Sequence, residues 1–216
     1  MDVYGRSAPE VGEVVERAAE VGRRLESSAD LAPSIANLWL FNLARGRLDR
    51  ADEISADLFR IAGELDDPEI MLQAHHATWP TRWIRGLPTE ASEHIDAGLA
   101  LYDEARHAHH RYIYLGHDPA VCALGMGAIV HQALGHPGRA TRCEREAVIL
   151  ARRLRHVPSL ANALWLVGGS QVVRGDAAAV IATATELLRL CEEHGILQHR
   201  ASADSVFKPA ARPRRM

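Results

Sequence analysis

The chain has 216 residues, 47% of them apolar and 25% charged, with aromatics at 5% and a formal net charge of -3. That balance excludes a basic protein drawn to nucleic acid or an acidic membrane by its overall field, and it excludes a low-complexity chain too polar to bury a core. No apolar run reaches membrane-spanning length and the first residues lack a signal-peptide pattern, so a cytoplasmic protein is expected. The three cysteines, Cys122, Cys143 and Cys191, have no C-x-x-C spacing and read as free thiols.

Abundant Ala, Leu, Arg and Glu favour helix over strand, because unbranched side chains lose little rotamer freedom there. In chain order the spacing of apolar residues predicts helices over 9–27, 32–45, 47–64, 68–85, 88–105, 119–134, 137–155, 158–174 and 176–194. The first opens on a capping-box pattern at Ser7 to Glu10. It places Val11, Val14, Val15, Ala18, Val21 and Leu25 on one face, as expected for a capping helix.

Four glycine-centred turns follow at Gly46, Gly86, Gly135 and Gly175, at intervals of 40, 49 and 40 residues. Glycine suits the left-handed residue that ends a helix, since it has no Cβ to clash. Five residues after each glycine stands Ala51, Ala91, Ala140 or Val180, small enough for two helices to cross closely. Asp67-Pro68 and Asp118-Pro119 read as N-cap followed by proline at the first helical position, and Pro158 and Pro33 as openings of the other two units.

The prediction is an all-α fold, an α-solenoid of antiparallel helix pairs forming a tetratricopeptide-like right-handed superhelix. Residues 1–195 form the repeat domain, with units 32–65, 68–105, 119–155 and 158–194 behind the capping helix 9–27. Ala128 and Gly168 fit the close-packing slot of the repeat, whereas Trp39 and Trp79 make the first two units degenerate. The text after "EEHGI" turns polar, basic and proline-broken, so 196–216 is expected to be a disordered tail. A fragment, truncated or shifted in frame at its end, is suspected.

The long interval contains "RHAHHRYIYLGHDPAVC", Arg106 to Cys122. His107, His109, His110, His117 and Asp118 are residue types that suit zinc, but their spacing lacks the i, i+4 histidine pair of a helical zinc motif. The expectation is no metal and no cofactor, with Tyr112 and Tyr114 packing the connector onto the helices and Asp118 capping the next helix. His75 and His76, adjacent on a helix, point about 100° apart and cannot readily chelate together. The acids from Glu64 to Glu69 read as charge at a helix N-terminus. Lys208, Arg212, Arg214 and Arg215 lack an aromatic platform or a recognition helix, so no nucleic acid is expected as a partner.

The stretch from "ALYDEARHAHH" through "GHDPAVCALGMG" to "HVPSLANAL" resembles the C-terminal helical-repeat region of bacterial multidomain signalling proteins, which carry a class III adenylate/guanylate cyclase domain and an AAA-type ATPase module. The resemblance covers roughly residues 35–195. It lies on Gly98, Leu99, Tyr102, Asp103, His107, Gly116, His117, Asp118, Pro119, Val121, Leu134, Gly135, Pro137, Ala140, Ser159, Leu160 and Ala161. It makes the connector residues Tyr102, Asp103, His107 and Gly116 to Pro119 a family signature, and implies signal transduction. The chain departs from that pattern: it has no G-x-x-x-x-G-K-S/T phosphate loop and no cyclase catalytic stretch. No enzyme activity is therefore expected of it.

Counting back from each turn glycine by the tetratricopeptide register puts Leu40, Leu43, Gln73, His76, Trp83, Ile129, Gln132, Asn162 and Trp165 on one groove. Apolar anchors with a few amides suit a protein or peptide partner. The main expectation is a non-catalytic protein-interaction or signal-relay module. The alternatives are a metal-dependent helical enzyme or sensor built on residues 107–118, and a repeat segment of an ATPase-containing transcription regulator.

Overall fold

A computed structural model describes residues 7–22, 28–203 and 207. Among them are eleven α-helices and no strand: α1 (Pro9–Gly22), α2 (Ser28–Ala44), α3 (Leu48–Leu65), α4 (Pro68–Ile84), α5 (Pro88–Leu101), α6 (His110–Ile113), α7 (Pro119–Ala133), α8 (Pro137–Leu154), α9 (Val157–Arg174), α10 (Ala177–His194) and α11 (Leu197–Ser202). They form two compact units, Met1–Pro119 and Ala120–Met216. The fold is all-α, a helical repeat of stacked helix pairs. No described helix is long and apolar enough to cross a membrane.

The turns form as the glycines require. Gly46, Gly86, Gly135 and Gly175 all have φ between 69° and 78°. At each, the next residue's amide reaches back five residues: Arg47 to the Asn42 carbonyl, Leu87 to Arg82, His136 to His131, and Asp176 to Gln171. This is the Schellman arrangement, which satisfies carbonyls that the helix end would otherwise leave bare. Gly195, with φ 68° and an Ile196 to Cys191 bond of 3.0 Å, repeats it once more.

In the first unit, successive helices from α1 to α5 pack as neighbours. Its core takes Ala32, Ile35 and Trp39 from α2, Ile54, Leu58 and Ile61 from α3, and Ile70, Ala74 and Ala77 from α4. These positions recur at helical spacing, so each helix gives one stripe to the core. The crossing residues Ala51 and Ala91 are fully buried, as are Ala140 and Val180 in the other unit. Trp79, bulky for the close-packing slot, is accommodated by Gly98 of α5, where a Cβ would stand 2.7 Å from the Trp79 ring. Trp39 donates to the Thr81 hydroxyl at 3.1 Å.

Several expectations need correction. Of the face expected on α1, Val11 and Val15 are buried, while Val14 is 65% exposed and Ala18 and Val21 are also exposed. Leu25 lies outside the described residues. Pro33 does not open α2 but sits inside it. Helix α5 ends at Leu101, four residues early, because Tyr102 turns extended.

In the second unit α8, α9, α10 and α11 pack in succession. Ala161 and Leu164 of α9 meet Val180, Leu187 and Leu190 of α10 in one cluster. The expected disordered tail is corrected for its described part. Residues 197–202 form α11, and Ala203 and Phe207 are buried in that cluster. Phe207 lies over Gly168, where a Cβ would come 2.5 Å from the ring. One polar joint also crosses this core. Glu144 of α8 accepts from Arg174 at 2.7 Å and Ser170 at 2.8 Å, and the Ser170 hydroxyl lies 3.2 Å from the Ala128 carbonyl of α7.

Candidate functional site

The connector between α5 and α7 carries buried polar residues, His107, His110, His117 and Asp118, into the first unit's interior and is not a loop merely packed on the surface. Tyr114 is buried, but Tyr112 is 72% exposed and does not pack the connector down. Leu115 and Gly116 both take positive φ, 49° and 74°. This double left-handed step carries the chain from buried Tyr114 to buried His117 and Asp118. Asp118 accepts from the Tyr102 hydroxyl at 3.0 Å. Burial first, then the Asp118 carboxylate, pushes the Tyr102 phenol up from its ordinary value. The His107 ring stacks on Tyr102, and its Nδ1 lies 2.9 Å from the amide nitrogen and the carbonyl oxygen of Asp103. The exposed Asp103 carboxylate accepts from the Arg106 amide at 2.8 Å.

A chain of contacts runs inward from His117. Its Nδ1 lies 3.1 Å from the Leu115 carbonyl and its Nε2 3.2 Å from Nε2 of His76. His76 Nδ1 meets the Gln73 amide at 3.1 Å, and the other end of that amide meets His110 Nδ1 at 2.8 Å. His110 Nε2 then lies 3.2 Å from Glu69 Oε2. Gln73 and His76 are each only 1% exposed. They are corrected from groove residues to members of this network, because α4 turns them toward the connector. His107 and His110 are equally buried.

The chain ends at the surface beside α4. Glu69, in the first turn of α4, accepts from Arg106 at 3.2 Å through Oε1, while Oε2 faces His110 and, at 3.5 Å, Nε2 of the exposed His109. Burial raises the Glu69 carboxyl, but hydrogen bonds from His110 and Arg106 outweigh it and hold the group below its usual range. Burial lowers His110 to about 4, against the opposing pull of Glu69. Glu69 was missed from the sequence as a site residue. Asp67, expected to cap α4, does so, accepting from the amides of Glu69 and Ile70 at 2.8 and 3.2 Å.

The remaining groove residues divide between the units. In the first, Leu40, Leu43 and Trp83 are half-buried, and the two leucines pack against the core. In the second, Ile129 and Gln132 of α7 lie one turn apart, as do Asn162 and Trp165 of α9. Asn162 is buried, Ile129 and Gln132 are half-buried, and Trp165 is 36% exposed. Ile129 reaches α9 at Gly169, where a Cβ would stand 3.2 Å from its tip, and the Trp165 ring lies 6.0 Å from that of His199 on α11. Gln132 Oε1 and Asn162 Nδ2 are buried without a hydrogen-bond partner.

No family model matches the chain. It is 28% identical over 193 residues to the uncharacterized protein R02095 of Rhizobium meliloti (strain 1021), an alignment covering 88% of this chain and 18% of that protein. The chain thus spans less than a fifth of that relative's length. Among solved structures, the crystal structure of BtubC (BKLC) from P. vanneervenii matches with a TM-score of 0.58 at 17% identity, over 94% of each chain. That likeness is one of fold.

Proposed function

We propose that the chain is a non-catalytic helical-repeat module that binds a peptide segment of a protein partner. One observation carries the reading. The face of α7 and α9 in the second unit combines the exposed Trp165 and half-buried Ile129 with two buried amide atoms, Gln132 Oε1 and Asn162 Nδ2, that have no hydrogen-bond partner. A buried polar atom without a partner costs about 1–3 kcal/mol. A peptide backbone offers the donor and acceptor that would relieve both atoms, while an apolar side chain covers the tryptophan. The fold supports the same reading, since stacked helix pairs present continuous side-chain faces.

From the sequence resemblance we propose that such a module serves beside cyclase and ATPase domains in a signalling protein; the chain covers 18% of the length of its uncharacterized relative. The test is selection of peptides from a displayed random library on the purified chain, followed by calorimetric affinities. Recovered peptides should carry an apolar or aromatic anchor. Trp165→Ala should weaken them at least about tenfold, ~1.4 kcal/mol, and Gln132→Ala should weaken them less, both without lowering the melting temperature. Peptides indifferent to both substitutions would refute the reading.

A further inference from the structure

We propose that Glu69, His109 and His110 form a binding site for a divalent transition-metal ion of the zinc class, with the Gln73–His76–His117 chain as its buried support. The proposal concerns the first unit and is independent of the peptide-binding reading.

The first ground is geometry. One ligand atom from each of the three residues lies within 4.8 Å of the others. Zinc bonds of about 2.0–2.2 Å in a tetrahedron place neighbouring ligand atoms about 3.3–3.5 Å apart. Glu69 Oε2 is 3.2 Å from His110 Nε2 and 3.5 Å from His109 Nε2. The second of these is long for a hydrogen bond. Two imidazoles and a carboxylate are a ligand set that suits zinc. The buried His110 and the exposed His109 give the ion one rigid ligand and one open side toward water.

The second ground is a count of hydrogens. The chain from the Leu115 carbonyl to Glu69 Oε2 has five contacts, through His117, His76, Gln73 and His110. Both ends only accept. Five hydrogen bonds need five hydrogens, and three neutral imidazoles and one amide supply four along the chain. Within these five contacts, one is short of a hydrogen unless a proton or a metal ion is added at an end. A metal at the Glu69 end removes the shortage. With the Gln73 amide turned over from its orientation in the structure, where Oε1 faces His76 and Nε2 faces His110, His117 Nδ1–H then donates to Leu115, His76 Nε2–H to His117, the Gln73 NH2 to His76 and His110 Nδ1–H to the Gln73 oxygen, leaving the His110 Nε2 lone pair for the ion. This sets the Gln73 amide by its neighbours, as such amides must be set. Fixing the distal nitrogen of a ligand histidine through a buried partner is how proteins orient it.

The test uses the untagged full chain, stripped with chelator and dialysed against Zn2+. The expected result is one equivalent of bound zinc by elemental analysis and, with Co2+ as probe, the intense visible bands of a tetrahedral site. Glu69→Gln and His109→Ala, both at the surface, should each weaken Zn2+ by at least about tenfold while keeping the metal-free helical spectrum. Long-range proton–nitrogen spectra should place the His110 proton on Nδ1 when zinc is present. Zinc absent at stoichiometry, zinc binding unchanged in both variants, or a His110 proton on Nε2 in the zinc-loaded chain would each overturn the proposal.

Discussion

His75 and His94 bring their Nδ1 atoms within 2.9 Å beside the edge of Phe59. Burial first, then the neighbouring His94, lowers His75 to about 4, and burial with Arg82 lowers His94 against Glu90 and Glu93. A histidine lowered in the fold binds fewer protons than its unfolded counterpart between the folded value and about 6.5. Its contribution is therefore complete above about pH 6.5 and fades as pH falls toward about 4. Screening of these half-buried groups limits the effect to the order of 1–2 kcal/mol. Urea unfolding across that window should show stability falling with acidification and a shallower slope in His94→Leu; an equal slope in the variant would contradict it. At this scale the sequence is least transparent. The histidines of the connector stand out by eye, but the carboxylate they meet lies 41 residues before His110. Within the acidic run at Pro68, nothing local separates Glu69 from its neighbours. Gln73 and His76 were misplaced because the register counts from the turn glycine and cannot know that a polar connector, rather than open solvent, covers that side of α4.

Helices are the scale at which the sequence speaks most clearly. The four turn glycines and the small residues five positions later need no tertiary information, since a left-handed φ and a close crossing are local demands. What escapes is compensation between helices. Gly98 looks ordinary in the text, and only the Trp79 ring against it shows why a side chain is excluded. Gly98→Ala should cost about 1–3 kcal/mol by overpacking, despite the better helix propensity of alanine. Gly63→Ala on α3, where a Cβ meets nothing within 4 Å, should instead gain up to about 1 kcal/mol. Chemical denaturation of the pair reads the contrast, and equal signs would contradict it. The end of α5 was overrun for a related reason: the apolar spacing continues past Leu101, while Tyr102 leaves the helix toward Asp118.

For the chain as a whole, a helical repeat buries the apolar face of each helix pair against what lies next to it. In the second unit α11 and Phe207 cover the cluster formed by α9 and α10. Polar, basic composition hid this, because a single aromatic set among charged residues carries no periodic signal. Phe207→Ala should destabilise the chain by about 3–5 kcal/mol, the usual cost of emptying a buried aromatic site; denaturation curves superposable on the parent would show that the ring is dispensable. The buried Glu144 joint has a different effect. Aliphatic stripes slide past one another at small cost, whereas a carboxylate clamped by Arg174 and Ser170 has a single docking position. A one-residue deletion in the middle of α8 would swing that carboxylate about 100° around the helix and strand its charge among methyl groups. Length changes in this half of the protein are thus confined to the hinges between rods.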